Sequence, residues 1–253
     1  MNVLILAGER PGGDPLAIAE NVASKTQIVI AGEPMLAHVL RALRQLQPAP
    51  QLFISGAAGG AAGPDITVIE TGPTPCSSVM KALAYISYPV LITTADHPLL
   101  TPAIIHEFLQ KANSLAGDVC VGLVPLTLIE QHYPENRRTK LKFSDGSVSG
   151  ANLFLLRHAR AMGLLEFWRV MEANRKSPWR MVRVLGFGML LRYAAGRLSF
   201  AQLVAHIAAR TVCSIAPVML SDPHAAIDVD KPSDLALVRA IMHTASTHQG
   251  GEQ

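Results

Sequence analysis

The sequence has few cysteines, little charge of either sign and few aromatic residues. Its three cysteines lie far apart at positions 76, 120 and 213, which argues against a disulfide framework and gives no spacing typical of metal ligands. An odd number of separated cysteines favours reduced thiols, so we expect a cytoplasmic protein. The formal net charge is only +3, which is too small to indicate nucleic acid as a partner.

Long apolar runs are absent as well. No stretch approaches the roughly 18 apolar residues that span a bilayer, so we expect no transmembrane helix. With 49% hydrophobic and 16% charged residues, the composition is typical of a globular chain rather than a disordered one. We expect residues 1–245 to form a single domain and residues 246–253 to form a flexible tail.

Short apolar runs alternate with amphipathic segments along the first half of the chain. Residues 3–7 and 90–94 are apolar runs typical of buried parallel strands, and residues 35–46 place their apolar side chains on one helical face. Strands that alternate with helices predict right-handed βαβ units. The sequence therefore predicts an α/β fold with a Rossmann-like, mainly parallel sheet flanked by helices.

The pattern changes after about residue 138. The dipeptide Asp145-Gly146 predicts a hairpin, and residues 218–220 and 225–229 predict further extended segments. Between them, residues 159–212 predict a helical insert of two or three helices. The insert combines aromatic with basic side chains, which leaves three interpretations open: packing on the sheet, a homodimer interface, or peripheral contact with an anionic membrane.

The segment "GERPGG" at residues 8–13 follows the first predicted strand and is rich in glycine. It matches neither the dinucleotide pattern G-x-G-x-x-G nor the phosphate-loop pattern G-x-x-x-x-G-K-[ST]. Backbone N–H groups of such a loop can still face an anion, and the guanidinium of Arg10 suits a phosphate. A plain strand-to-helix turn is the alternative, and the loop alone does not decide between them.

Asp96 directly follows the apolar run at residues 90–94. The carboxyl end of a central parallel strand faces the crevice in which α/β sheets bind ligands, and hard divalent cations prefer carboxylate oxygens. A metal ligand and a turn-forming residue before Pro98 are both compatible with this position. A single carboxylate holds a divalent cation weakly, so a second should converge on it, and the segment at residues 225–238 supplies candidates.

Three segments in a fixed order carry a resemblance to a known family. They are "LAGERPGG" with the later "SKTQIVIAGEPML", the strand end "LITTADHPLL", and the C-terminal segment "AAIDVDKPSDLALV". Together they resemble nucleotidyltransferases of the molybdenum-cofactor guanylyltransferase type and the related sugar-phosphate cytidylyltransferases. The resemblance implies a fold of the nucleotide-diphospho-sugar transferase type. It also implies Mg²⁺-dependent transfer of a nucleoside monophosphate from a nucleoside triphosphate to a phosphorylated small molecule, with release of pyrophosphate.

The same resemblance assigns expected roles to individual residues. Arg10 and Lys25 are expected to neutralise the triphosphate, and with Asp96 they form the expected catalytic set. Asp96 and Asp230 are the expected ligands of Mg²⁺, with Asp228 as the alternative second ligand. These residues lie far apart in the sequence, so the resemblance implies that the fold brings them together.

Two further segments match the family's base and acceptor pockets. "TGPTPCSSVMKAL" supplies hydroxyl groups beside the base, although a helix cap explains the same threonine and serines equally well. In "SVSGANLFLLR", Gly150 and Asn152 are expected to bind the acceptor. The complete set of residues expected to bind the nucleotide is Leu6, Ala7, Gly8, Arg10, Gly12, Gly13, Lys25, Thr74, Ser77, Ser78 and Asp96.

Two other functions remain open at the level of the sequence. A glycosyltransferase of the same fold normally carries D-x-D after a central strand, and "DHP" at residues 96–98 lacks the second aspartate. A non-catalytic nucleotide-binding protein is favoured by Glu9, which stands where the family has a glycine and where a triphosphate disfavours a carboxylate. The sequence indicates neither the base of the nucleotide nor the acceptor.

Overall fold

A computed structural model of the protein describes residues 1–9, 12–58, 60, 63–135, 141–174 and 177–249. The strands are β1 (Asn2–Ala7), β2 (Val29–Ile30), β3 (Glu33–Pro34), β4 (Gln51–Gly56), β5 (Ile66–Ile69), β6 (Val90–Thr94), β7 (Val119–Pro125), β8 (Leu141–Phe143), β9 (Gly146–Leu156) and β10 (Ile215–Met219). β2 and β3 form a separate two-stranded ribbon. The other strands form one sheet in the order β10-β7-β9-β6-β1-β4-β5, with β8 paired to β9.

Most neighbouring strands of the main sheet are parallel. β1 is parallel to both β4 and β6, and the pairs β4–β5 and β7–β10 are parallel as well. β9 is the exception, because it runs antiparallel between β6 and β7. The structure therefore confirms the expected mainly parallel α/β sheet. β8 and β9 form the expected hairpin at Asp145-Gly146.

Helices cover both faces of the sheet. They are α1 (Pro15–Ala19), α2 (Met35–Arg44), α3 (Pro75–Ala82), α4 (Pro102–Asn113), α5 (Leu126–His132), α6 (Ala161–Asn174), α7 (Pro178–Leu185), α8 (Phe187–Ala194), α9 (Phe200–Thr211) and α10 (Pro232–Gln249). Val3 and Ile5 of β1 belong to the apolar cluster that includes α2 and α4, whereas Leu4 belongs to the cluster with α3 and α6. Since successive side chains of a strand point to opposite faces, one apolar run supports both layers.

The helical insert contains the four helices α6 to α9 in its described part, rather than the two or three expected. Gly186 separates α7 from α8, because its φ of +87° is a conformation that no helix continues through. Ser199 starts α9 with a capping box, in which its hydroxyl accepts a hydrogen bond from Gln202 N. The apolar pattern alone does not reveal such short interruptions. Within the described ranges, no helix is long and apolar enough to cross a membrane.

The prediction of an extended segment at residues 225–229 is wrong in its first part. Pro223–Ala226 form a 3₁₀ turn instead, and its N-cap residue Asp222 accepts a hydrogen bond from His224 N through its side chain. A short polar cap followed by proline at the first position is a strong local start signal, which outweighs the apolar composition of the segment. The turn brings the chain back from β10 towards the end of β6.

Candidate functional site

A cleft of about 720 Å³ opens where the parallel strands β1 and β6 end. Ligand sites of α/β sheets occur at this edge, because the loops that follow the strands surround it. Most of the residues expected to bind nucleotide or metal are found there. Those that line the cleft are Leu6, Ala7, Gly8, Lys25, Thr74, Ser78, Asp96 and Asp230.

Some expected site residues do not line this cleft. Gly12 and Gly13 both adopt a φ of +90° in the turn before α1, and neither belongs to the lining set. Gly150, Asn152 and Ser77 are also outside the lining set. The expected catalytic residue Arg10 lies outside the described residues. Their roles in binding remain predictions.

Lys25 is the basic residue at the centre of the cleft. It begins a 3₁₀ turn, Lys25–Gln27, whose N-cap Ser24 accepts a hydrogen bond from Thr26 N. The Lys25 ammonium lies 2.7 Å from Asp96 Oδ2 and 2.9 Å from Asp230 Oδ1, with its side chain only 16% exposed. Burial opposes its charge, but the two carboxylates outweigh burial, so the pKa of Lys25 is raised above its ordinary value. Lys25 is therefore charged at neutral pH.

Backbone contacts hold the two carboxylates side by side. Val229 N donates a hydrogen bond of 2.8 Å to Asp96 O, so the segment before α10 is attached to the end of β6. Asp234, which is buried in the first turn of α10, accepts hydrogen bonds from Asp230 N and Lys231 N, each 3.2 Å long. Asp234 is the third residue of α10, and its side chain bonds back to the backbone that precedes the helix. Such hydrogen bonds fix the path of the chain where a helix starts. Asp96 and Asp230 are thus positioned before any ligand arrives.

Asp228 has a different partner from the one the sequence suggested. Its Oδ2 accepts a hydrogen bond of 2.8 Å from Asn152 Nδ2. Asn152 lies in an irregularity of β9, where the register against β7 shifts and Asn152 takes a left-handed φ of +50°. Because a bulge redirects side chains, Asn152 reaches the segment before α10. This contact supports Asp230 rather than Asp228 as the second carboxylate of the cleft.

The hydroxyl groups at the start of α3 act mainly as helix caps. Thr74 and Ser77 form a reciprocal capping box, in which each side chain accepts a hydrogen bond from the other's backbone N–H. Ser78 Oγ accepts a hydrogen bond of 3.0 Å from Gly72 N. Thr74 and Ser78 also line the cleft, so both interpretations left open by the sequence apply to the same segment.

The cleft is strongly acidic in its described part. Five of its lining side chains are carboxylates (Glu9, Asp14, Asp96, Glu172 and Asp230), and Lys25 is the single described lysine or arginine among the lining residues. A polyphosphate would be repelled by this excess unless further cations accompany it. Glu9, which the sequence analysis identified as a departure from the family pattern, is one of the residues that line the cleft.

The residues present fit a hard divalent cation. Two carboxylates already converge on one positive charge, that of Lys25, and the second oxygen of Asp96, Oδ1, is buried with no hydrogen-bond partner among the described residues. Mg²⁺ typically takes one or two protein carboxylates and completes its shell with water and substrate phosphates. No group of three or more His, Cys, Asp or Glu side chains within the described ranges is arranged to hold a metal by itself.

Sequence reasoning missed Glu172, which reaches the cleft from α6 in the helical insert. Its Oε1 accepts a hydrogen bond of 3.4 Å from Cys76 N at the start of α3, while its Oε2 is buried with no partner among the described residues. Burial is the main cause, and the negative charge of Glu172 the second, that raises the pKa of the Cys76 thiol to about 12. The thiol is therefore protonated at neutral pH and cannot act as a nucleophile. No motif marks Glu172, because its contact depends on how the insert packs.

Comparison with known proteins adds a family and a set of similar folds. A family model described as the MobA-like NTP transferase domain matches residues 3–130. No curated protein sequence matches the chain. A solved structure of a hypothetical transferase from Thermus thermophilus is 27% identical with a TM-score of 0.80, covering 93% of this chain and 100% of that chain.

Two more distant structures are similar in fold alone. The 2-C-methyl-D-erythritol 4-phosphate cytidylyltransferase from Thermus thermophilus is 16% identical with a TM-score of 0.53, covering 96% of this chain and 98% of that one. The CMP:2-keto-3-deoxy-manno-octonic acid synthetase, complexed with CTP, is 16% identical with a TM-score of 0.56 and the same two coverages, 96% and 98%. At this identity, the likeness supports the sheet and its topology.

Proposed function

Since the chain belongs to the MobA-like NTP transferase family, we propose that it transfers a nucleoside monophosphate from a nucleoside triphosphate to a phosphorylated small molecule and releases pyrophosphate. The family makes the protein an enzyme of the nucleotidyltransferase class. The observation that carries the finer proposal is the Lys25 ammonium held between Asp96 and Asp230 at the strand ends. That arrangement suits a site in which carboxylate oxygens and phosphate oxygens share a cation.

In the proposed reaction, an oxygen of the acceptor phosphate attacks the α-phosphorus. The bond from the α-phosphorus to the bridging oxygen breaks, and pyrophosphate leaves with the electron pair. Lys25 is charged at neutral pH and stabilises the negative charge that accumulates on the leaving group. The reaction needs positioning rather than a protein nucleophile, which agrees with the protonated thiol of Cys76.

Asp96 and Asp230 would hold Mg²⁺, which when bound supplies charge neutralisation and a template for the phosphates. The Oδ1 of Asp96 is buried with no hydrogen-bond partner among the described residues, and the contact from Val229 N holds the backbone of Asp96 beside the segment that carries Asp230. The excess of carboxylates in the cleft also supports a need for Mg²⁺. A triphosphate that enters beside Glu9 and Asp14 is repelled by them unless cations offset the repulsion.

The decisive experiment is an assay for pyrophosphate release with each of the four nucleoside triphosphates and a panel of phosphorylated sugars and alcohols, with and without Mg²⁺. We expect one nucleotide to be preferred, and we expect Asp96→Asn to abolish release while leaving the fold intact. Asp65→Asn is the matched control, because Asp65 pairs with Arg44 at an exposed position outside the lining set. A folded Asp96→Asn variant with full activity would contradict the proposal.

A thermal-shift panel distinguishes nucleotide binding from transfer. Ligands that bind the native state raise its apparent stability, so the preferred triphosphate with Mg²⁺ should raise the melting temperature most. If no nucleotide shifts it, the nucleotide site is assigned wrongly. Release of nucleoside diphosphate from a nucleotide-sugar, with no pyrophosphate from any triphosphate, would indicate a glycosyltransferase instead.

A further inference from the structure

The helices α7 and α8 expose large apolar side chains that have no partner in the described fold. Trp179 is 81% exposed, Phe187 66% and Leu191 57%. α8 contains no buried residue at all, although most of its sequence is apolar. Phe187 and Leu191 are four residues apart and therefore lie on the same helical face. Large exposed apolar side chains concentrated on two consecutive helices typically mark a contact with another molecule or with a membrane.

The same helices carry arginines without acidic partners. Arg180, Arg183 and Arg192 are exposed, and the sequence contains no Asp or Glu between Glu172 and Asp222. None of the ion pairs among the described residues includes these three arginines.

Several arginines elsewhere in the described chain do form ion pairs. Arg44 pairs with Asp65, Arg160 with Asp118, Arg169 with Glu166 and Arg239 with Glu20. Arg197 and Arg210 of the insert, and Arg157 outside it, also form no ion pair among the described residues. Unpaired positive charge is therefore concentrated in the insert, which contains α7 and α8. It accompanies the exposed apolar side chains named above, so the two helices combine an apolar and a cationic surface.

We propose that α7 and α8 dock on an anionic lipid membrane surface. Helices that lie in a membrane interface combine Arg or Lys with exposed Trp, Phe and Leu, and acidic lipids supply the negative charge that this segment lacks. Trp179 suits the headgroup region, where tryptophan is enriched. A second copy of the chain is a poorer occupant, because a two-fold interface would bring the same unpaired arginines of both copies together.

The proposed docking surface adjoins the cleft. α7 is in contact with α6, and Glu172 of α6 lines the cleft. This inference goes beyond the proposed nucleotidyl transfer and does not depend on it, since vesicle binding is measured without any nucleotide.

The test is co-sedimentation of the full chain with phosphatidylcholine vesicles and with vesicles in which half of the lipid is phosphatidylglycerol. We expect binding to the anionic vesicles at low salt, loss of binding at high salt and none to the neutral vesicles. In a Trp168→Phe variant, Trp179 is the remaining tryptophan. Its emission should shift to shorter wavelength with the anionic vesicles only.

Paired variants locate the surface. Arg180→Ser and Arg183→Ser should each weaken binding to anionic vesicles about fivefold, the contribution expected of one basic residue near an anionic leaflet. Arg44→Ser and Arg169→Ser, on surfaces where the arginine is paired, should leave binding unchanged. Phe187→Ser should weaken binding even at low salt.

Two outcomes would overturn the proposal. One is absence of binding to anionic vesicles at low salt by a chain that circular dichroism shows to be folded. The other is a stable dimer in light scattering that Phe187→Ser and Leu191→Ser convert to monomers, which would make the surface an interface between copies.

Discussion

The ammonium of Lys25 lies between the carboxylates of Asp96 and Asp230, the two residues proposed to hold Mg²⁺. Its raised pKa keeps the charge present at every pH below its ordinary value of 10.5, and the charge is lost only as pH rises through the raised value. Changes in activity near neutral pH therefore do not come from Lys25. One lysine thus faces two carboxylates, which leaves this part of the described cleft with a net negative charge.

We predict that Lys25→Met binds Mg²⁺ more tightly than the wild type while losing about 100-fold in kcat/KM, the cost typical of removing one charge-stabilising donor. Two carboxylates without a built-in cation attract a divalent ion more strongly. Thermal shift with Mg²⁺ alone measures the first effect, and pyrophosphate release the second. Lys81→Met is the control, because Lys81 pairs with Glu70 outside the cleft. Unchanged activity in Lys25→Met would remove Lys25 from the catalytic set.

Asp118 provides a stability prediction that is independent of the cleft. Its buried carboxylate pairs with Arg160 and accepts hydrogen bonds of 2.8 Å from both Ser214 N and Ser214 Oγ. The hydrogen bond from Arg160, aided by those from Ser214, holds the pKa of Asp118 well below its ordinary 3.8. A depressed folded pKa means that the contribution to stability is complete above pH 3.8 and is lost as pH falls below it.

We predict that Asp118→Asn lowers the free energy of unfolding at neutral pH by about 2 kcal/mol, in the range of hydrogen bonds to charged groups. Below pH 3.8 the wild type should lose this advantage over the variant. Urea unfolding at neutral and acid pH measures both effects. Asp65→Asn, in an exposed pair, should change little. A variant that follows the wild type at every pH would show that the pair contributes nothing.

At the scale of the elements, the sequence predicts best where the signal is local. The run at Val90–Thr94 is apolar on both faces, and it is the central strand β6 expected from it. Thr74 caps α3 and Thr101 caps α4, and both caps follow from the neighbouring residue types. The antiparallel placement of β9 between β6 and β7 is different, since strand pairing depends on distant residues and no local pattern encodes it.

The packing of α6 on α9 shows a contact that no pattern reveals. A Cβ at Gly163 would lie 2.2 Å from Thr211 O, so the two helices approach too closely for any other residue. Gly188 in α8 offers the matched contrast, because nothing lies within 4 Å of the position of its Cβ. The same residue type is thus required by packing in one helix and unconstrained by packing in the other.

We predict that Gly163→Ala lowers the free energy of unfolding by about 2 kcal/mol, the typical cost of overpacking. Gly188→Ala should raise stability slightly, by at most about 1 kcal/mol, because alanine favours a helix more than glycine does. Chemical denaturation of the two variants beside the wild type gives both values. Equal effects of the two substitutions would mean that α6 and α9 are not held as closely as the structure shows.

At the scale of the whole molecule, the fold joins residues that the sequence separates widely. Lys25 is 71 positions from Asp96 and 205 from Asp230, and the family-like order of short motifs nevertheless predicts their convergence. Glu172 could not be predicted, because the helical insert that carries it has no motif and its contact with α3 joins residues that are distant in the sequence. Family patterns predict the part of the cleft at the sheet edge. The wall of the cleft that the insert forms with Glu172 becomes visible only in the three-dimensional structure.

This wall leads to a prediction about the molecule as a unit. A triphosphate with Mg²⁺ at about 100 times its dissociation constant should slow amide exchange about 100-fold in segments that it stabilises. We expect slowing at the start of α3 and around Glu172 in α6, which line the cleft, but not in α4, which lies outside the lining set. Hydrogen exchange with mass spectrometry measures this slowing.

Glu172→Ala should abolish the slowing in α6 and retain it in α3. Slowing confined to the segments around Gly8 and Lys25 would mean that the insert takes no part in nucleotide binding.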